Sequence, residues 1–213
     1  MTGMRPRPAA TPSRAELATY GLVVLAALVA SGIGPKDRLT WFLEVVWVVV
    51  ALPLLALTAR RFPLTRLLYV LIALHMGVLM LGGHYTYAEV PVGFWVQDLF
   101  GFARNHYDRL GHFMQGFVPA ILARELLLRL TPLKRGGWLV YLVLAACLSF
   151  SAFFELIEWW SALVWGADAD AFLATQGDVW DTQWDMFLAL CGAILAQLLL
   201  SRWHDRQLGP AAP

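Results

Sequence analysis

Three stretches of this sequence place acids, a histidine and amides at helical spacing. Asp108, His112 and Gln115 share one stripe if 108–130 is helical, since successive residues turn by about 100°. Ser151, Glu155 and Glu158 line one face of 137–160, and Asp181 and Asp185 stand one turn apart at the head of 182–203. Three chemistries suit such a set. Asp108, His112, Glu155, Glu158, Asp181 and Asp185 offer oxygen and imidazole ligands to a divalent cation. Arg104 and Arg109 could instead neutralise the acids in a structural network, or bind an anionic headgroup. Glu155, Asp185 and His112 are the candidate catalytic groups, either acid serving as general base. Flanking them, His84, Tyr85, Tyr87, Asn105, His106, Gln176, Asp178 and Gln183 complete the expected ligand-binding set.

The elements that must hold these residues are apolar. Of 213 residues 59% are apolar and 15% charged, with net charge +1, and mean hydropathy is +0.61. This excludes a disordered chain and a nucleic-acid binder driven by a basic surface. A bilayer core of about 30 Å needs roughly 20 apolar helical residues. Six segments qualify: 16–34, 41–59, 65–83, 108–130, 137–160 and 182–203. The expected fold is therefore an all-α, polytopic membrane bundle of six transmembrane helices over 15–204. Residues 1–14, rich in proline and arginine, read as a disordered cytoplasmic tail, and 205–213 as a second cytoplasmic tail, disordered from Gly209 to Pro213. The first span is followed by Lys36, Asp37 and Arg38 and no Ala-x-Ala-like site, so it is retained as a helix.

Counted outside the spans and at their extreme ends, eleven lysines and arginines fall on one side and four on the other, with Arg124 deeper inside a span. Both termini are then cytoplasmic, and the acid and histidine cluster lies at the extracytoplasmic face. Between the third and fourth spans, Gly93 to Tyr107 reads as a short interfacial helix. The small residues Ala189, Gly192, Ala193 and Ala196 let the last span approach a neighbour closely. Trp41, Trp138, Trp159, Trp160, Trp184 and Trp203 mark helix ends, and Cys147 and Cys191 are packing residues. His75 is expected to hydrogen-bond a neighbouring helix, and Glu125 and Arg129 to form an i,i+4 ion pair. Glu44 either reaches the outward cluster or snorkels to the interface.

Gly83-His-Tyr-Thr-Tyr87, Arg104-Asn-His-Tyr-Asp-Arg-Leu-Gly-His-Phe113, Glu155-Leu-Ile-Glu-Trp159 and Thr175-Gln-Gly-Asp-Val-Trp-Asp-Thr-Gln-Trp-Asp-Met186 together resemble the YjdF-like bacterial inner-membrane proteins, over roughly 40–203. A fainter likeness is to the VanZ-like family, associated with glycopeptide resistance. It rests on Asp108, Arg109, His112, Phe113, Glu155, Glu158, Asp185 and Gly192, with Arg109, Glu158 and Ala189 departing from that family's lysine, glutamine and asparagine. These resemblances imply a multi-pass inner-membrane protein with a polar outward-facing site, and they carry over no reaction.

Three functions fit. One is a protein that binds a headgroup, a cation or a partner of the cell envelope, within the lipid bilayer and with no nucleic acid. The alternative is an outer-leaflet enzyme acting on a lipid-linked or envelope substrate, although no GxSxG or HExxH signature is present. A transporter fits less well, because 139–148 and 187–200 hold few polar stations.

Overall fold

The computed structural model describes residues 8–166 and 170–209, and helix dominates it. In chain order the elements are α1 (Arg14–Ser31), α2 (Arg38–Thr58), α3 (Arg66–Tyr85), a 3-10 turn (Tyr87–Glu89), α4 (Pro91–Phe100), α5 (Tyr107–Leu130), α6 (Gly137–Trp165), α7 (Asp170–Leu173) and α8 (Asp181–Leu208). Their ends follow local chemistry. A capping box between Ser13 and Glu16 opens α1, and Asp37 accepts the Thr40 N–H to open α2.

Among the described residues, five helices are long and apolar enough to cross a membrane: α1, α2, α3, α6 and α8. The expected sixth span coincides with α5, which has 24 residues but also Asp108, Arg109, His112, Arg124, Glu125 and Arg129. Composition therefore sets α5 apart from the other five. Its burial explains how it carries so many polar groups. It touches α3, α6 and α8, which shield one face each, and contact with α8 is the most extensive in the molecule.

Glycine makes that contact. A Cβ on Gly116 would collide with the Ala189 carbonyl, and one on Gly192 would collide with the Phe113 carbonyl. Backbone meets backbone there, as small residues permit in membranes. Ala189, Ala193 and Ala196 are fully buried along the same seam. The Cys147 thiol donates to the Gly116 carbonyl from α6, at 3.7 Å, and Cys147 and Cys191 are both free.

The connection between α3 and α5 differs from its expected register. Helix α4 begins at Pro91, where a proline has no amide to lose, and stops at Gly101, whose left-handed φ of 66° ends it. Residues 101–106 are not helical, so the expected helix over 93–107 is displaced toward the N-terminus. Its Trp95, Leu99 and Phe100 are exposed.

Of the segment expected as an N-terminal tail, residues 1–7 lie outside the described residues, whereas Ala10 is tied down. Its N–H donates to Gln207 O at 3.0 Å, and its carbonyl accepts from the Arg66 N–H at 3.0 Å. At the other end of the chain, α8 runs beyond the expected span because His204 and Gln207 are buried.

Candidate functional site: an acid and histidine cluster over a long cavity

His112 on α5 stands at the centre. Its Nε2 faces Asp108 Oδ1 at 3.6 Å and Asp185 Oδ2 at 3.8 Å, whereas Nδ1 faces Glu155 Oε1 at 3.7 Å and Gln115 Oε1 at 3.2 Å. The contacts to the three acids exceed hydrogen-bond length. One ligand atom each from Asp108, His112 and Asp185 lies within 4.8 Å of the others, and all three residues are buried. The convergence expected of α5, α6 and α8 is present.

Among the described residues these acids are only partly satisfied, with His112 their shared neighbour. Asp108 Oδ2, Asp185 Oδ1, both Glu155 oxygens and the Ser151 hydroxyl have no hydrogen-bond partner. Thr182 lies near Glu155 without reaching hydrogen-bond geometry. Asp185 is 1% exposed and Glu155 is 8% exposed, so solvent does not take the partner's place. Burying carboxylates in this way is costly unless a cation or a proton accompanies them.

The arginines are engaged elsewhere. Arg104 donates to Asp181 at 2.9 Å and to the Thr175 carbonyl, and Arg109 donates to Asp178 at 2.9 Å. Arg109 also lies over the Trp184 ring, 5.1 Å from its centroid. The Trp180 N–H first, then Arg104 and Arg109, hold the Asp178 carboxyl below its usual range. Burial first, then Arg109 and Arg104, depress the His106 imidazole. An arginine layer thus caps the cluster without neutralising it. Asp181, proposed as a ligand on spacing, belongs to this layer.

Several expected site residues stand outside the cluster. His84 Nδ1 lies 2.8 Å from Ser31 O on α1, and the His84 ring meets Tyr85 edge-on. Asn105 is spent on backbone, donating to Val90 O and accepting from the Tyr107 N–H. His106 meets Phe102 edge-on, Gln176 donates to the Asn105 carbonyl, and Gln183 is exposed. These six residues lie around the cluster rather than in its interior.

Below His112 a cavity of about 430 Å³ extends between α2, α3, α5 and α6. Its polar end carries Glu44, Tyr87, Asp108, His112, Gln115 and Glu158, and the remainder is largely apolar, down to Thr58, Phe62, Leu64 and Leu126. Glu44, left open by the sequence, is 4% exposed and belongs to the cluster. His75 also lines the cavity, and its Nε2 is unpartnered where a bond to a neighbouring helix was expected. Burial, with Glu44 nearby, pushes the Tyr87 phenol well up, so its hydroxyl remains a donor.

The opposite end of the bundle holds a second buried network that sequence reasoning only partly found. The expected Glu125 and Arg129 ion pair is present at 2.6 Å. Glu125 also accepts from the Thr65 N–H and hydroxyl and lies 3.0 Å from His204 Nε2. Arg124 Nη1 is 3.0 Å from His204 Nδ1, and because arginine only donates, the His204 proton sits on Nε2 and points at Glu125. Arg124 and Arg135 both reach Asp205. Every acid in this network has a cation or a donor, the reverse of the His112 end.

Long apolar helices enclosing incompletely satisfied acids around one histidine define an integral membrane protein with a built polar cluster. The chain belongs to the DUF2238 family of predicted membrane proteins, which matches residues 17–206. It is 53% identical over 192 residues to the inner membrane protein YjdF of Escherichia coli strain K12, covering 90% of this chain and 92% of that protein. No solved structure matches. The protein is a multi-pass protein of the bacterial inner membrane.

Proposed function

We propose that the protein binds a divalent cation through Asp108, His112 and Asp185 at the extracytoplasmic end of a six-helix bundle, and through it a group of the cell envelope. The observation that carries the reading is the two-sided environment of His112. Its Nε2 faces the two aspartates, and its Nδ1 faces Gln115 and Glu155. A histidine that ligates a metal through one nitrogen almost always donates from the other to a carboxylate or carbonyl, which fixes the ring. Three protein ligands leave coordination positions open, as in sites where a metal receives a substrate. His112 and Asp108 also line the cavity, so a group held by the cation would sit at its polar end.

Topology is part of the same reading. The hydrogen bond from Ala10 to Gln207 joins the two ends of the chain at one end of the bundle, which supports an even number of crossings. With five apolar helices, α5 supplies the sixth. The network around Glu125 then lies at the cytoplasmic face, where lysine and arginine concentrate.

Metal-assisted hydrolysis at the outer leaflet is the second reading, favoured by one observation. Glu155 is buried beside the site, and among the described residues neither of its oxygens accepts a hydrogen bond, so it could serve as general base for a water activated there.

Manganese binding to the purified protein tests the cation. We expect one Mn²⁺ per chain by electron paramagnetic resonance, at least tenfold weaker binding in Asp185→Asn and His112→Ala, and unchanged binding in Glu125→Gln. Absence of Mn²⁺ binding, or equal binding in Asp185→Asn, overturns the assignment.

A further inference from the structure

The cavity is much longer than a cation needs. Glu44 and Thr58 both line it from α2, which at 1.5 Å per residue gives it a height of about 20 Å. A volume near 430 Å³ spread over that height makes the cavity elongated, long enough for an extended carbon chain. Its total size falls in the usual range of ligand sites, about 300–1,000 Å³. The shape is long and partly open along its length, polar at one end.

The cavity also has a side entrance. Leu54 on α2 and Phe150 on α6 line the cavity and are 57% and 38% exposed on the outside of the bundle. Trp47 bridges α2 and α6 nearer the polar end, meeting Phe150 and Phe154 edge to face or tilted. In a membrane the exposed face is hydrocarbon, so a chain can slide in laterally while its head stays at the cluster.

We infer that the cavity holds one long-chain amphiphile with a phosphate head, its chain running between α2 and α5 and its phosphate bridged by the cation at Asp108, His112 and Asp185. This rests on the cation assignment above. Charge supplies the argument for phosphate. Without a cation the buried acids repel an anion, and Arg104 and Arg109 are committed to Asp178 and Asp181. A cation held by carboxylates with open positions completes its shell with phosphate oxygens. Gln115, at the same end, is placed to donate a hydrogen bond to the head.

Ala51 is the residue to change, because it is small, lines the cavity and lies about two turns below Glu44. Detergent-solubilised full-length protein would be titrated, by native mass spectrometry, with dodecyl phosphate, inorganic phosphate and dodecyltrimethylammonium, with and without Mn²⁺. We expect dodecyl phosphate to bind at least tenfold tighter than inorganic phosphate, and to weaken at least tenfold when Mn²⁺ is removed. Ala51→Trp and the smaller Ala51→Phe should lose the advantage of the chain while retaining Mn²⁺, which also certifies their fold. Three results overturn the inference while leaving the cation site standing: equal affinity for both phosphates, undiminished dodecyl phosphate binding in both Ala51 variants, or tighter binding of dodecyltrimethylammonium. Failure of the wild-type protein to bind Mn²⁺ overturns the cation site itself, and this inference with it.

Discussion

A carboxylate buried with its own cation and one buried among other carboxylates respond oppositely to losing their charge. Glu125 is the first kind, with Arg129 at 2.6 Å, His204 at 3.0 Å and Thr65 all satisfying it. Asp185 is the second, crowded by Asp108 and Glu155 around one imidazole and with Oδ1 unpartnered. Removing one partner of a satisfied buried pair costs about 3–5 kcal/mol, so Glu125→Gln should lower the thermal midpoint clearly. Asp185→Asn should leave stability equal or raise it when measured in chelator, because the amide keeps the shape and removes repulsion. Thermal unfolding followed by circular dichroism would compare the two. A destabilised Asp185→Asn would make the cluster a structural knot, with His112 as its permanent cation.

Helices set the distances among those residues, and the seam of α5 with α8 sets the most. Gly116 and Gly192 admit no Cβ because the obstacle in each case is backbone, which cannot swing aside like a side chain. Gly116→Ala should therefore cost about 1–3 kcal/mol, as overpacking does, and weaken Mn²⁺ binding by parting His112 from Asp185. Gly77→Ala is the contrast. It lies in α3 with nothing within 4 Å of its Cβ, so the same change should be neutral or stabilise by about 0.5–1 kcal/mol. Equal melting of the two variants would refute the close-approach argument. Much of this element scale was legible in the sequence. Apolar runs reveal membrane helices, and the i,i+4 spacing of Asp108, His112, Asp181 and Asp185 reveals polar faces. What was hidden depends on tertiary neighbours. No local pattern tells whether Glu44 on α2 meets His112, whether His75 finds a partner, or that Arg104 and Arg109 turn toward the 175–181 loop. His204 was missed for the same reason, since only the packing of α5 against α8 sets it between Arg124 and Glu125.

At the scale of the whole molecule, two independent features bear on orientation. One is the charge bias of eleven lysines and arginines against four outside the expected spans and at their extreme ends, which favours the termini facing the cytoplasm. The other is the meeting of Ala10 with Gln207, which draws both ends of the chain to one end of the bundle. Helix directions agree with it: α5 and α8 run parallel, with Asp185 beside His112 at one end and His204 beside Glu125 at the other. An α5 that failed to cross would leave an odd number of spans and pull those pairs apart. Reporter fusions decide the matter. Alkaline phosphatase should be active when fused within 174–180 and inactive after Arg206, and a cytoplasmic reporter such as green fluorescent protein should show the reverse. Activity of phosphatase fused after Arg206, with none in the 174–180 loop, would invert the bundle and put the acids around His112 at the cytoplasmic face. Phosphatase activity at both positions would instead mean that the two ends of α8 lie on one side, and the six-span topology would fall.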